Sequence, residues 1–275
     1  MMSTQTIAIP PIPKETERSA RAIFGRRNFY ILTGEYLESI LEDIQPVFLL
    51  EAGIILPQIT FFQFLEGLTD AQAVEAVRTR LDWKFALHLP VYPPTIRERT
   101  LCEFRQRALN DLQYQREFQL LIDRFVTFNP PHNDRLQSFI SLELLSHICW
   151  INRLDWIRAA MGRMLEVLAI GFPEWLRKNA LPHWYGRYNP ITTGFEANDS
   201  PDQQEFSMEE TASDIDYLLN KIHQSAPPEI SELKEVRSLE GVWKQQIKTL
   251  LTDKHEILKS TDCDSCVYRT ERKEV

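Results

Sequence analysis

Between Leu68 and Arg107 the chain reads LTDAQAVEAVRTRLDWKFALHLPVYPPTIRERTLCEFRQR. Within it, Arg78, Lys84, Arg97, Arg99, Arg105 and Arg107 have the chemistry to contact a polyanion. A guanidinium fork matches two phosphate oxygens, or the acceptor edge of guanine, so the implied chemistry is DNA contact. The competing reading is a solvated helix face on which Glu98 and Glu103 pair with the arginines. Phosphate contacts would make affinity fall with salt.

Helices must position these residues. An apolar helix runs from Ile59 to Glu66 and Gly67 ends it. Thr69-Asp70-Ala71-Gln72 then fits a capping box, in which the threonine hydroxyl accepts from the third backbone N–H and the glutamine reaches back. Ala73, Val74, Val77 and Leu81 share one face, while Glu75, Arg78 and Arg80 point elsewhere. Trp83, Phe85, Leu87 and Leu89 form an apolar knot before Pro90, and Pro93-Pro94 forbids helix in the loop that follows. Thr100-Leu101-Cys102-Glu103 reads as a second capping box. It opens a helix with Leu101, Phe104, Ala108 and Leu112 inward and Arg105 and Arg107 outward. Two capped helices with bases on the second suggest a helix-turn-helix-like DNA reader, with a linker longer than the tight turn of the standard motif.

The rest of the chain is also read as helical, so the expected fold is all-α. Residues 1–28 are expected to be a disordered, proline-rich leader. Residues 29–128 form a multi-helical N-terminal domain, with Pro46 and Pro57 as helix boundaries. Asn129-Pro130-Pro131 marks a break. A second helical region, 136–190, holds helices over 136–151 and 154–170, the second capped by Asn152. Leu154, Ile157, Met161, Leu165 and Leu168 give it a helical stripe. Residues 191–275 are an acidic linker, solvated helices from Ser207 and Pro228, and a partly disordered tail.

A composition of 43% hydrophobic and 25% charged residues over 275 residues is ordinary for a globular chain, and only nine glycines favour helix over sandwich or barrel. No run of 18 apolar residues is present, and the N-terminus has no signal-peptide pattern, so a cytoplasmic protein with no membrane span is expected. The net charge of −8 argues against a nucleic-acid binder. Residues 191–240, however, hold twelve acids and three bases, which leaves the remainder at +1. Four cysteines suggest no disulfide framework. Cys263-Asp264-Ser265-Cys266 is half a zinc knuckle; tetrahedral zinc needs four ligands, so no metal site is assigned. The six histidines are dispersed, and no GxGxxG, P-loop, GxSxG or HExxH occurs. Trp150, Trp156, Trp175, Trp184 and Tyr185 are read as core anchors rather than base-stacking groups.

Three segments carry a resemblance. They are Gln63-Phe64-Leu65-Glu66-Gly67-Leu68-Thr69-Asp70, then Ala76-Val77-Arg78-Thr79-Arg80-Leu81-Asp82-Trp83-Lys84-Phe85-Ala86-Leu87, then Thr100-Leu101-Cys102-Glu103-Phe104-Arg105-Gln106-Arg107. In this order they resemble the helical N-terminal domain of bacterial insertion-sequence DDE transposases, which reads "QFLEGLSDRQAAEAVRDRLDWKYALGL", a loop, and "STLSEFRARL". Asn152-Arg153-Leu154, Pro173-Glu174-Trp175-Leu176, Pro182 to Tyr188 and Glu240 to Gln246 are similar to the helical insert of a longer-chain subgroup. The resemblance spans roughly 29–250. Cys263 to Arg269 also looks like the front of a cysteine segment that lies far downstream in those enzymes.

The resemblance implies binding to the terminal repeats of a mobile element, with intact transposase or a second copy as further partners. DDE chemistry uses two divalent metals held by three acids on an RNase H-like sheet. The first acid's position, counted back from Asn152, falls on Ile140; Glu143 and Asp134 lie near but off it. No run of strand-forming residues is present to build the sheet, and the chain ends about 30 residues after Gln246, a distance counted on the sequence. The expectation is a degenerate or truncated transposase that binds DNA and has no catalytic residues or cofactor of its own, Mg²⁺ belonging to an intact catalytic domain. Alternatives are a partial enzyme acting in trans, and an interaction module or inactive remnant without DNA binding.

Overall fold

The computed structural model describes residues 9–41, 53–128, 140–188 and 201–244, with only the backbone described for 201–206. No strand occurs among the described residues, and the fold is all-α. The chain divides into two units, with the boundary between Cys149 and Trp150.

The first unit begins with α1 (Lys14–Ile23), α2 (Phe29–Glu35) and α3 (Leu37–Leu41). Residues 14–28 are therefore not a disordered leader. Ala20 of α1 is buried with Ile31 and Phe85, and the Thr16 hydroxyl donates to the Leu89 carbonyl at 2.8 Å. An amphipathic turn with so few apolar residues reads as polar sequence, and only the partner surface shows that it is seated. The expected boundary at Pro46 lies outside the described residues. Pro57 stands inside the first turn of α4 (Ile55–Glu66), where a missing N–H costs nothing.

Gly67 closes α4 in the left-handed region at φ 63°. Its N–H donates to Phe64 O, and the Leu68 N–H donates to Gln63 O, which is the Schellman pattern. Helix α5 (Asp70–Thr79) follows with the capping box complete: Gln72 N donates to Thr69 Oγ1 and Thr69 N to Gln72 Oε1. Arg80 breaks the helix with extended dihedrals, and α6 (Leu81–Ala86) buries Trp83, Phe85 and Ala86, with Leu87 and Leu89 buried after it. The same Schellman pattern ends α6, with His88 N donating to Phe85 O and Leu89 N to Lys84 O. His88 takes the left-handed conformation there, φ 53°, at the position where the resembled domain has glycine. Its ring nitrogens lie 2.6 Å from Pro10 O and 2.9 Å from Gly34 O, which offsets the backbone cost. Gly34 itself is obligatory, because a Cβ would stand 2.7 Å from the Phe85 carbonyl oxygen.

Helix α7 spans Glu98–Asn110 and α8 spans Leu112–Phe128. The second expected capping box does not form. The helix opens one turn early, with Arg97 at the N-cap and no side-chain cap, and the Thr100 and Leu101 N–H groups donate to Arg97 O. Leu112 was expected inward but is exposed, because extended Asp111 ends α7 and restarts the chain in a new helix. Phe61, Phe62, Trp83, Phe104, Phe118 and Phe125 centre the core, with Phe61 stacked on Phe125 at 5.2 Å.

Helix α9 runs unbroken from Ser141 to Gly171. Two helices with Asn152 as a cap were expected; instead Asn152 is buried mid-helix, since no proline interrupts this span and the apolar residues on both sides of it, Ile148, Ile151, Leu154 and Ile157, are buried. Leu144, Leu145 and Ile148 join the first core, and Leu154, Ile157, Met161 and Leu168 the second. The second unit adds α10 (Pro173–Asn179), α11 (Trp184–Tyr188), α12 (Pro201–Ser225), α13 (Pro228–Ser231) and α14 (Lys234–Val242). The helices read as solvated are half core: Ile215, Leu218 and Ile222 of α12 and Val236 and Leu239 of α14 are buried with the α9 stripe. No described helix is long and apolar enough to cross a membrane.

Candidate nucleic-acid interface

The charges of the arginine-rich stretch divide into an inner and an outer set. Innermost is Arg105, fully buried on α7. Its guanidinium grips the Asp70 carboxylate with both terminal nitrogens, at 2.7 and 2.5 Å. Gln63 Nε2 donates to the same carboxylate at 2.8 Å, so α4, α5 and α7 meet at one polar knot. A fork-on-carboxylate geometry is what allows two charges to leave water. The expectation that Arg105 faces outward and contacts DNA is therefore overturned. Four residues C-terminal to the buried Leu101 and four before the buried Leu109, it lies on the apolar face of α7.

A second knot joins α2, α4 and α6. Glu66 accepts from Arg80, from the Tyr30 hydroxyl and from Trp83 Nε1. Arg80 also forks onto Asp82 at 2.7 and 3.1 Å and lies 5.1 Å from the Tyr30 ring and 5.2 Å from the Trp83 ring. Burial, then the Glu66 charge, pushes the Tyr30 hydroxyl well above the usual phenol range. The hydroxyl therefore stays protonated and remains a donor to the carboxylate.

Lys84 is also drawn in, being only 4% exposed. Its Nζ donates to Val91 O at 2.7 Å and so tethers the loop after α6. Burial, and then the nearby Arg78 guanidinium, lower its pKa. Its assignment as a DNA contact gives way to that of a loop anchor, because its four-carbon stem runs along the core and its head is spent on a carbonyl.

Four of the six candidates remain outside. Arg78 is 71% exposed and, among the described residues, pairs with exposed Glu75 at 2.7 Å. Arg99 pairs with Glu103 across one exposed turn of α7 at 2.7 Å. Arg97 is exposed at the N-cap, with no carboxylate in ion-pair range among the described residues. Arg107 is exposed and rests on Tyr114, its guanidinium 5.8 Å from the ring centroid. Arg99, Glu103 and Arg107 repeat every four residues, so they share the solvent side of α7. Exposed pairs of this kind are screened by water and exchange readily for another anion. A short helix, α6, stands between α5 and α7, so the two do not form the two-helix unit joined by one turn.

The position counted for a first catalytic acid, Ile140, is an exposed isoleucine directly before α9, and Glu143 is exposed in its first turn. Asp134, Cys263 and Cys266 lie outside the described residues. No group of three His, Cys, Asp or Glu able to hold a metal occurs among the described residues. Cys102 is buried on α7, and Cys149 of α9 is half-buried and not in a disulfide.

One cluster was missed by sequence reasoning. In the second unit Asp214 of α12 is buried, and it accepts from His183 Nε2 at 3.0 Å, Arg187 at 2.5 Å and the Tyr188 hydroxyl at 2.7 Å. Burial works against its charge, but the donors from His183, Tyr188 and Arg187 outweigh it and hold the carboxyl below its usual range. Asp214 sat among twelve acids read as a solvated surface. Only its i, i+4 relation to the buried Leu218 hinted otherwise. Trp184 is core as expected, whereas Tyr185 is exposed.

The fold and its outward arginines define a helical protein with an arginine-bearing first unit. Residues 54–107, from the residue before α4 to the last arginine of α7, match the family model described as Transposase domain (DUF772), and the chain is transposase-related. No curated protein and no solved structure matches it.

Proposed function

We propose that this chain binds the end DNA of a mobile element of the insertion-sequence DDE type, through the solvent side of α7, working in the cytoplasm. The supporting observation is that the transposase-domain match, residues 54–107, carries two sets of charges. One set is consumed in the Asp70–Arg105 and Glu66–Arg80–Asp82 knots, and the other leaves Arg97, Arg99 and Arg107 outward on a single helix. The Asp70–Arg105 knot ties α7 to α4 and α5, and the outer arginines meet phosphates. Ile140 at the first acid position supports the reading that this chain lacks a complete DDE triad and does not cut by itself.

The test is a gel shift on terminal-repeat duplex against scrambled duplex, with a salt titration. The wild-type chain should bind the terminal repeat with an affinity that falls steeply with salt. Replacing Arg97, Arg99 and Arg107 together by glutamine should weaken it and flatten the logarithmic salt slope by about 2 to 3, near one per lost phosphate contact. Unchanged affinity would place DNA on another face, and no shift by the wild type at low salt would end the proposal. Nicking of the duplex by this chain with Mg²⁺ or Mn²⁺ would overturn the inactive reading.

A further inference from the structure

The loop between α6 and α7 carries Tyr92, which is 87% exposed and presents its ring to solvent. The loop around it is fixed rather than slack. Pro90, Pro93 and Pro94 restrict its dihedrals, and the nearly buried Lys84 holds the Val91 carbonyl one residue before the tyrosine. Leu89, just upstream, is anchored twice, through its N–H to Lys84 O and its carbonyl to the Thr16 hydroxyl. A buried lysine spent on a loop carbonyl positions what comes next, and what comes next is Tyr92.

Arg97, exposed and without a carboxylate in range among the described residues, follows five residues later, a reach of at most about 18 Å. Arg78 lies close enough to Lys84 to depress it. A constrained, exposed aromatic five residues before an exposed arginine suits a nucleobase whose face is free while its phosphate is neutralised within the reach of that arginine. A base inside an intact duplex has both faces covered by its neighbours. A free face exists only at an unpaired nucleotide or an open end.

Resting on the DNA-binding reading above, we propose that Tyr92 is a base-stacking residue that makes this chain prefer DNA with an unpaired base over fully paired duplex. The probe is a terminal-repeat duplex carrying one unpaired 2-aminopurine, compared with the fully paired duplex, using the full chain. With wild type, 2-aminopurine fluorescence should be quenched on binding, and the unpaired duplex should bind more tightly. Tyr92→Ala should weaken binding to the unpaired duplex about ten-fold, within the range that base–aromatic stacking supplies, and leave the paired duplex almost unchanged. Tyr92→Phe should keep the preference and the quenching. Thermal unfolding by circular dichroism should be the same for all three, since the side chain is outside the core.

Absence of quenching in the wild type, or equal affinities of wild type and Tyr92→Ala for the unpaired duplex, would overturn the inference while the arginine contacts stand. An equal loss on both duplexes would overturn it too, because the tyrosine would then contribute no preference. If wild type binds neither duplex, the DNA-binding reading has failed and this one falls with it.

Discussion

Arg105 and Arg107 stand two residues apart and carry the same side chain, yet they have opposite fates. Two positions on a helix is a rotation of about 200°, so one faces the core and the other water. Arg105 lies on Asp70 with no exposure, and Arg107 lies on Tyr114 at the surface. Removing one partner of a buried pair leaves the other charge without compensation, a cost of about 3–5 kcal/mol. Arg105→Ala is thus expected to lower the urea midpoint strongly, whereas Arg107→Ala should barely move it. Replacing Asp70 and Arg105 together by leucine and methionine should recover most of the loss, because no orphan charge remains. Equal midpoints for the two single variants would contradict the burial of Arg105. Any DNA-binding test that mutates Arg105 reports on folding, and the outer arginines are the ones to vary.

At the scale of elements, two identical-looking signals separate. Thr69 and Thr100 each precede a glutamine or glutamate by three residues. Only Thr69 caps, because Gly67 has just turned the chain and left it extended at Thr69. Thr100 is already inside α7, which opened at Glu98 as soon as Pro93-Pro94 was passed. Thr69→Ala should cost about 1 kcal/mol, as lost N-caps do, and Thr100→Ala should cost almost nothing, since alanine is the better interior residue. Equal denaturant shifts would refute the distinction. The same logic explains α9: a polar Asn152 was taken as a boundary, but a single asparagine does not stop a helix whose neighbours on both sides are buried.

For the molecule as a whole, the second unit is expected to lose stability at low pH. Asp214 ties α11 to α12 through His183, Arg187 and Tyr188, and its pKa is lowered in the fold. A depressed carboxyl adds stability in full above its unfolded pKa of about 3.9, and the contribution is lost as pH falls through the lower folded value. Acid titration below about pH 4 should therefore destabilise this unit in the wild type. Asp214→Asn should be less stable than wild type near neutrality, and the gap should narrow as pH drops through that window. Urea midpoints at several pH values check this; a constant gap would sever the link to Asp214.

The sequence by itself determined the all-α class, the capping box at Thr69, the end of α4 at Gly67, the knot of Trp83, Phe85, Leu87 and Leu89, and the stripe on α9. Each of these is set by residues within one or two turns, where hydrogen bonding and periodicity act locally. The order of motifs also carried the transposase relation. Tertiary structure alone decided which charges stay in water. Whether Arg105, Lys84 or Asp214 is buried depends on partners 7 to 35 residues away, such as Val91, Asp70 and His183. A one-dimensional charge pattern holds no record of those pairings. It also decided that the stretch before Asn28 packs as helix, because Thr16 and Ala20 find their partners at Leu89, Ile31 and Phe85. The arginines that announce a polyanion surface are legible in sequence; the fold divides them into those that hold the domain together and those that can reach DNA.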